Sequence, residues 1–207
     1  MNIKEVENQT NTVTNTIELH SIILGSILGD GTFKKYKNVG NRMLFAHSPK
    51  QESYCLYKHN IFNKYNLAGK ISRNRIFNER YKDGYFDEIR FATRSNNIFI
   101  EYYNKFYKDN KRNVLAITNK YFTEQVLAIW YFDDGSICTR SYQITCQSLS
   151  EIEVTHMIKL LKDNFNIDST FDKNHNIYIR TNSINTFNNI LNKYVIPEMQ
   201  YKIRGSV

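Results

Sequence analysis

Apolar residues recur along this chain with two periods, and the periods alternate in a repeated order. Residues 18–29 and 123–133 are almost continuously apolar, which predicts two helices with little polar face. Both stretches, IILGSILGDG (22–31) and VLAIWYFDDG (126–135), end in Asp-Gly, where glycine suits a left-handed helix cap. Behind each comes alternation of period two, predicting strands at 32–37 and 42–47, and at 136–140 and 142–147. Amphipathic helices follow at 51–66 and 150–166, the second opened by a capping-box pattern, Ser150-x-x-Glu153. A second hairpin pairs 70–80 with 85–93, turning at Asp83-Gly84, and its counterpart pairs 169–173 with 176–181. Helices at 95–106 and 183–193 close the two series.

The order is therefore αββαββα, twice. Direct superposition supports a duplication. ATRSNNIFIEYYNKF (92–106) falls on RTNSINTFNNILNKY (180–194) without a gap, KYNL (64–67) falls on NFNI (164–167), and HSP (47–49) is set on QSL (147–149). The expected fold class is α+β: two pseudo-symmetric halves, each carrying an antiparallel sheet, joined by a central helix pair. The boundaries read as a tail (1–16), a first half (17–107), a linker (108–120) and a second half (121–207).

On the predicted strands one face is apolar (Ile89, Phe91; Ile177, Ile179) and the other carries Arg90 and Arg94, or Tyr178 and Arg180. Gln143, Thr145 and Gln147 form a similar polar row, whereas Met43, Phe45 and His47 stand at the matching places in the first half. Arginine, amide and hydroxyl side chains read base edges and phosphates, so these faces are candidate DNA-binding surfaces. Arg73 and Arg75, which share a strand face, together with Lys34 and Arg140, complete that candidate set. Twenty-eight basic against 20 acidic residues, a net charge of +8, point the same way. The longest apolar run, 22–28, is far too short to cross a membrane, and the first residues read as neither a secretory signal nor an import presequence. Three cysteines without a C-x-x-C fit a reducing compartment and no zinc.

The two Asp-Gly helices resemble the signature helices of the LAGLIDADG homing endonucleases, in their single-chain, two-motif form. That motif has a small residue at its third position, an acid at its eighth and glycine at its ninth: Gly25, Asp30 and Gly31 here, then Ile129, Asp134 and Gly135. Ile129 departs from the pattern, so close helix approach is expected to rest on Gly25, Ser26 and Gly29. The terminal YVIPEMQYKI (194–203) and the spacing from Lys111 to Asp134 are similar to the mitochondrial omega-intron type of the family. The resemblance implies a monomeric, site-specific double-strand DNA endonuclease acting in intron homing on a long asymmetric target and leaving 3′ overhangs. It implies Asp30 and Asp134 as ligands of Mg²⁺, with Mn²⁺ able to substitute, because hard oxygen ligands beside phosphate suit that ion. It places Lys111 and Lys202 near the scissile phosphates and gives Gln147 and His47 polar roles close to the cleavage centre; Asp133 is expected beside the site or in solvent. The alternatives are an RNA maturase assisting group I intron splicing and a DNA-binding regulator that does not cut. The location is mitochondrial for an organelle-encoded chain and the bacterial cytoplasm otherwise.

Overall fold

A computed structural model describes residues 17–36 and 39–205, the side chains of 34–41 excepted; Lys34, named above, lies outside the described side chains. Helix α1 (17–28) leads into β1 (Thr32–Tyr36) and β2 (Val39–His47), then α2 (Glu52–Lys64), β3 (Ala68–Phe77), β4 (Tyr85–Thr93) and α3 (Asn97–Phe106). Two-residue strands β5 (Tyr107–Lys108) and β6 (Lys111–Arg112) form a small hairpin. The series then repeats as α4 (Glu124–Asp134), β7 (Gly135–Ile137), β8 (Tyr142–Ile144), α5 (Glu151–Phe165), β9 (Ser169–Phe171), β10 (Ile177–Ile179) and α6 (Ile184–Asn192). Both four-stranded sheets are antiparallel and have one order, β1-β2-β4-β3 and β7-β8-β10-β9. The fold is the α+β pair of pseudo-symmetric halves that the periodicity predicts. No helix among the described residues is long and apolar enough to cross a membrane.

Local chemistry explains the elements. Thr123 caps α4 by accepting the amide of Val126, and Ser150 with Glu153 closes the expected capping box on α5. Both α2 and α5 stop at an asparagine in the left-handed region, Asn66 (φ 56°) and Asn166 (φ 53°). One core spans both halves and takes in almost all of α1 and α4, Trp130 included.

Two expectations are corrected. Neither Gly31 nor Gly135 has a positive φ, so the Asp-Gly glycines are not left-handed caps. They are needed for space: a Cβ on Gly135 would stand 2.1 Å from the Tyr131 ring, and one on Gly31 2.8 Å from the Ser26 carbonyl. Secondly, the superposition of HSP on QSL is out by one residue. Met43, Phe45 and His47 are buried, and the buried row of the second half is Tyr142, Ile144 and Cys146. A single-residue slip exchanges the two faces of a strand. His47 therefore corresponds to Cys146, and Gln143, Thr145 and Gln147 belong to the outward face.

Candidate active site at the ends of two crossed helices

The centre of the molecule is the crossing of α1 with α4. A Cβ added to Gly25 would meet Ile129 Cβ at 2.7 Å, and one on Gly29 would meet Asp133 Cβ at 2.4 Å. These pairs are equivalent positions of the two motifs, so each position near the pseudo-twofold faces its own counterpart. The larger residue comes from α4 and the missing side chain from α1. That is how the chain accommodates Ile129 in place of a small residue.

The crossing delivers two acids to one place. The backbone N–H of Asp30 donates to Asp133 Oδ2 (3.0 Å), and the charge of Asp30 acts on Asp134. Burial, then the charges of Asp30 and Asp133, push the Asp134 carboxyl up to about 7. Asp30 is raised as well, by burial first and by Asp133 second, though 36% of its side chain stays exposed. Both carboxyls thus resist ionisation, and the charge of each ionised neighbour adds to the effect of burial. The Asp133 side chain is fully buried beside the site, the first of the two places expected above, and its Oδ1 pairs with the equally buried Lys58 Nζ at 2.5 Å. Lys58 belongs to α2, so this pair joins one half to the other, and its Nζ also lies 4.7 Å from the centroid of the Tyr54 ring.

Two basic residues close the exposed carbonyl ends of the helices. Lys202 Nζ donates to the carbonyls of Phe132 (2.6 Å) and Asp133 (3.2 Å), and burial lowers its pKa against the pull of three aspartates. Arg112 Nη1 donates to the carbonyls of Ile27 (3.2 Å), Leu28 (2.6 Å) and Gly29 (3.3 Å). Cations favour a helix C-terminus, and here they also offset the acids. Lys111 stands apart: it is exposed on β6, beside Thr32, Phe33 and Ser148 in a cleft of about 550 Å³, and Arg112 is the counterpart of Lys202.

The remaining expected residues fall in three places. His47 is buried with Nδ1 3.6 Å from Asp30 Oδ2, and burial and Lys58 depress its pKa to about 4, so the contact is not an ion pair at neutral pH. On the outward faces lie Arg90, paired with Glu88 at 3.3 Å, and, in the second sheet, Gln143 opposite Tyr178, with exposed Thr145 and Gln147 beyond the end of β8. Arg94, Arg140 and Arg180 are exposed at strand ends or turns. Arg73 and Arg75 do share a face, but it is that of Ile89, away from Arg90: Arg73 bonds to Glu52 of α2, and Arg75 lies 5.1 Å from the Tyr85 ring centroid. The outward face of the first sheet is carried instead by Leu44, Ala46, Ser72, Asn74, Glu88 and Arg90.

Lys58, Arg112 and Arg204 did not stand out in the sequence. Arg204 clasps the 138–141 turn through the carbonyls of Cys138 (2.8 Å), Thr139 (2.9 Å) and Ser141 (3.2 Å). For Lys58 a signal existed: it interrupts the buried row Tyr54, Lys58, Ile61, Phe62 of α2, where a lone lysine demands a partner.

Crossed Asp-Gly helices, duplicated sheets and the paired acids define the class, and residues 20–187 match the LAGLIDADG DNA endonuclease family, to which this chain belongs. Among particular relatives, it is 30% identical over 198 residues to the cytochrome b mRNA maturase bI2 of Saccharomyces cerevisiae, covering 88% of this chain and 46% of that one. It is 26% identical over 225 residues to the probable intron-encoded endonuclease 1 of Wickerhamomyces canadensis, covering 99% and 91%. A solved structure of the homing endonuclease I-WcaI bound to its DNA recognition sequence shares the fold, with a TM-score of 0.77, 27% identity and coverage of 92% and 87%. The chain thus spans less than half of the Saccharomyces maturase, but most of the two endonucleases.

Proposed function

We propose that this protein is a site-specific double-strand DNA endonuclease that hydrolyses one phosphodiester on each strand at the crossing of α1 and α4. The observation that carries this reading is the convergence of Asp30 and Asp134 at the carbonyl ends of two helices, each end closed by its own cation. Raised carboxyl pKa values are what two ligands of a divalent ion display without it, and oxygen donors beside phosphate fit Mg²⁺ or Mn²⁺. Asp30 and Asp134 would hold such ions, which would supply an acidified water and charge neutralisation at the phosphate. Lys202 and Arg112 hold the helix ends in place and set positive charge next to the reacting phosphates. The outward faces of the two sheets, with Arg90, Gln143 and Tyr178, lie against successive major grooves, Thr145 and Gln147 read towards the cut, and exposed Arg94, Arg140 and Arg180 meet phosphates. The protein acts as a monomer on a long asymmetric target, leaves 3′ overhangs and serves intron homing from an organelle genome. A net charge of +8 makes binding fall steeply with salt.

The test uses a DNA library spanning candidate intron-insertion junctions, with Mg²⁺. Asp134→Asn is expected to keep specific binding in a mobility shift and to lose linearisation of the plasmid. Full cleavage by that variant would remove the proposed centre. A second reading, assistance to splicing of group I intron RNA, is favoured by the 30% identity to the Saccharomyces maturase. It predicts that the Asp134→Asn protein still binds the host intron RNA and speeds its splicing.

A further inference from the structure

The two acids do not sit in equal surroundings. Around Asp30 stand a second carboxylate, Asp133, and an imidazole, His47, and one ligand-type atom from each of the three lies within 4.8 Å of the others. The His47 side chain is 1% exposed, and neither ring nitrogen makes a well-formed hydrogen bond among the described residues, although the Gln51 side chain lies close enough to act on the ring. Its Nδ1 is turned to Asp30 Oδ2 at 3.6 Å, too long for a hydrogen bond and close to the separation of two neighbouring ligands on one ion. Lys58 donates to Oδ1 of Asp133, the N–H of Asp30 to Oδ2, and the Tyr54 hydroxyl also bonds to this carboxylate, whose oxygens have acceptor sites beyond those three donors. Asp30 and His47 both line a cleft of about 460 Å³ that opens to solvent, so an ion has a way in. On the other side the same three places hold Asp134, Gly29 and Cys146, and the Cys146 thiol is turned to the Ile144 carbonyl at 3.5 Å.

We infer that Asp30, His47 and Asp133 form a mixed nitrogen–oxygen site that takes a first-row transition-metal dication such as Mn²⁺, Co²⁺ or Zn²⁺ in preference to Mg²⁺. The side built on Asp134 is an oxygen-only position without that preference. An imidazole ligand moves selectivity along the order from Mn²⁺ towards Co²⁺ and Zn²⁺, whereas Mg²⁺ keeps to oxygen. The inference rests on reading Asp30 as a cation ligand. Its consequence is that the two strands are cut by unequal centres, so exchange of Mg²⁺ for Mn²⁺ or Co²⁺ changes the rate on one strand more than on the other.

The test is a titration of the full chain, without DNA, with Co²⁺ followed by visible absorption and with Mg²⁺ followed by calorimetry. Wild type is expected to bind Co²⁺, His47→Gln and His47→Asn to bind it at least 10-fold more weakly, and both to keep wild-type Mg²⁺ affinity. Asp134→Asn should leave the Co²⁺ spectrum in place. Thermal melts check that the His47 variants fold. Independently of any variant, Co²⁺-loaded wild type should show a strongly shifted, solvent-protected imidazole N–H in its proton NMR spectrum. Absence of that resonance, equal Co²⁺ affinity in wild type and folded His47 variants, or loss of the Co²⁺ spectrum in Asp134→Asn each overturns the inference. None of these readouts uses cleavage. A protein that cuts DNA but binds Co²⁺ without His47 refutes this site alone, and one that binds Co²⁺ through His47 but never cuts refutes the nuclease reading alone.

Discussion

The first half and the second keep the same skeleton and furnish it differently. Sheet order, helix order and the asparagine that ends α2 and α5 are common to both. The strands are not: β3 and β4 run to 10 and 9 residues, β9 and β10 to 3 each. Nor is the interior next to the acids. Lys58 is buried and paired with Asp133, while Ile158, at the same place on α5, packs as an ordinary hydrophobe. The difference teaches that the frame needs only shape and capping, which two unlike sequences satisfy. The electrostatics near each acid answer to chemistry and have diverged.

Substitutions can break or sharpen that contrast. The largest effect is expected from Lys58→Met, which strands a buried Asp133 charge and should cost about 3–5 kcal/mol in urea unfolding. Adding Asp133→Asn should recover much of it, and Ile158→Met should be near neutral. Next, Gly29→Ala forces a Cβ to within 2.4 Å of Asp133 and should destabilise by about 3 kcal/mol in the same assay. Then Arg112→Ala and Lys202→Ala should each slow single-turnover cleavage roughly 10- to 100-fold, about 1.4–2.8 kcal/mol, with little change in affinity. Lys111→Ala should leave the rate near wild type; a parallel loss of binding with Lys202→Ala would make that residue a phosphate anchor. The smallest concerns stability. An Asp134 carboxyl held at about 7 keeps its proton in the folded chain where the unfolded chain, near the ordinary 3.8, has lost it. The folded state then binds more protons, so stability falls as pH rises from about 4 to about 7 and stays lower above. Asp134→Asn should therefore melt higher than wild type at pH 8 in chelator, by about 2 kcal/mol after allowing for solvent screening. The two should coincide at pH 4, and a divalent ion should stabilise only the wild type.

Much of this was legible in the chain. The helix pair, both sheets and the two acids follow from periodicity and from motifs that repeat, because burial imposes a period that sequence carries directly. What escaped depends on distances between segments. Register between copies slipped by one because the hairpins β1–β2 and β7–β8 differ in length, and that slip set His47 against Gln147 instead of Cys146. That Arg112 reaches the α1 carbonyls was not legible, because a two-residue hairpin decides which of two adjacent cations turns inwards. Lys58 and Asp133 come from different halves, and no local pattern announces their meeting.

The crossing has a consequence for ancestry. Gly25 lies against Ile129 and Gly29 against Asp133. Two copies of the first half would set glycine against glycine; two copies of the second would press isoleucine on isoleucine and aspartate on aspartate. Neither half, copied unchanged, keeps that pairing of a side chain with an empty place, so each half depends on the other for the fit of the crossing.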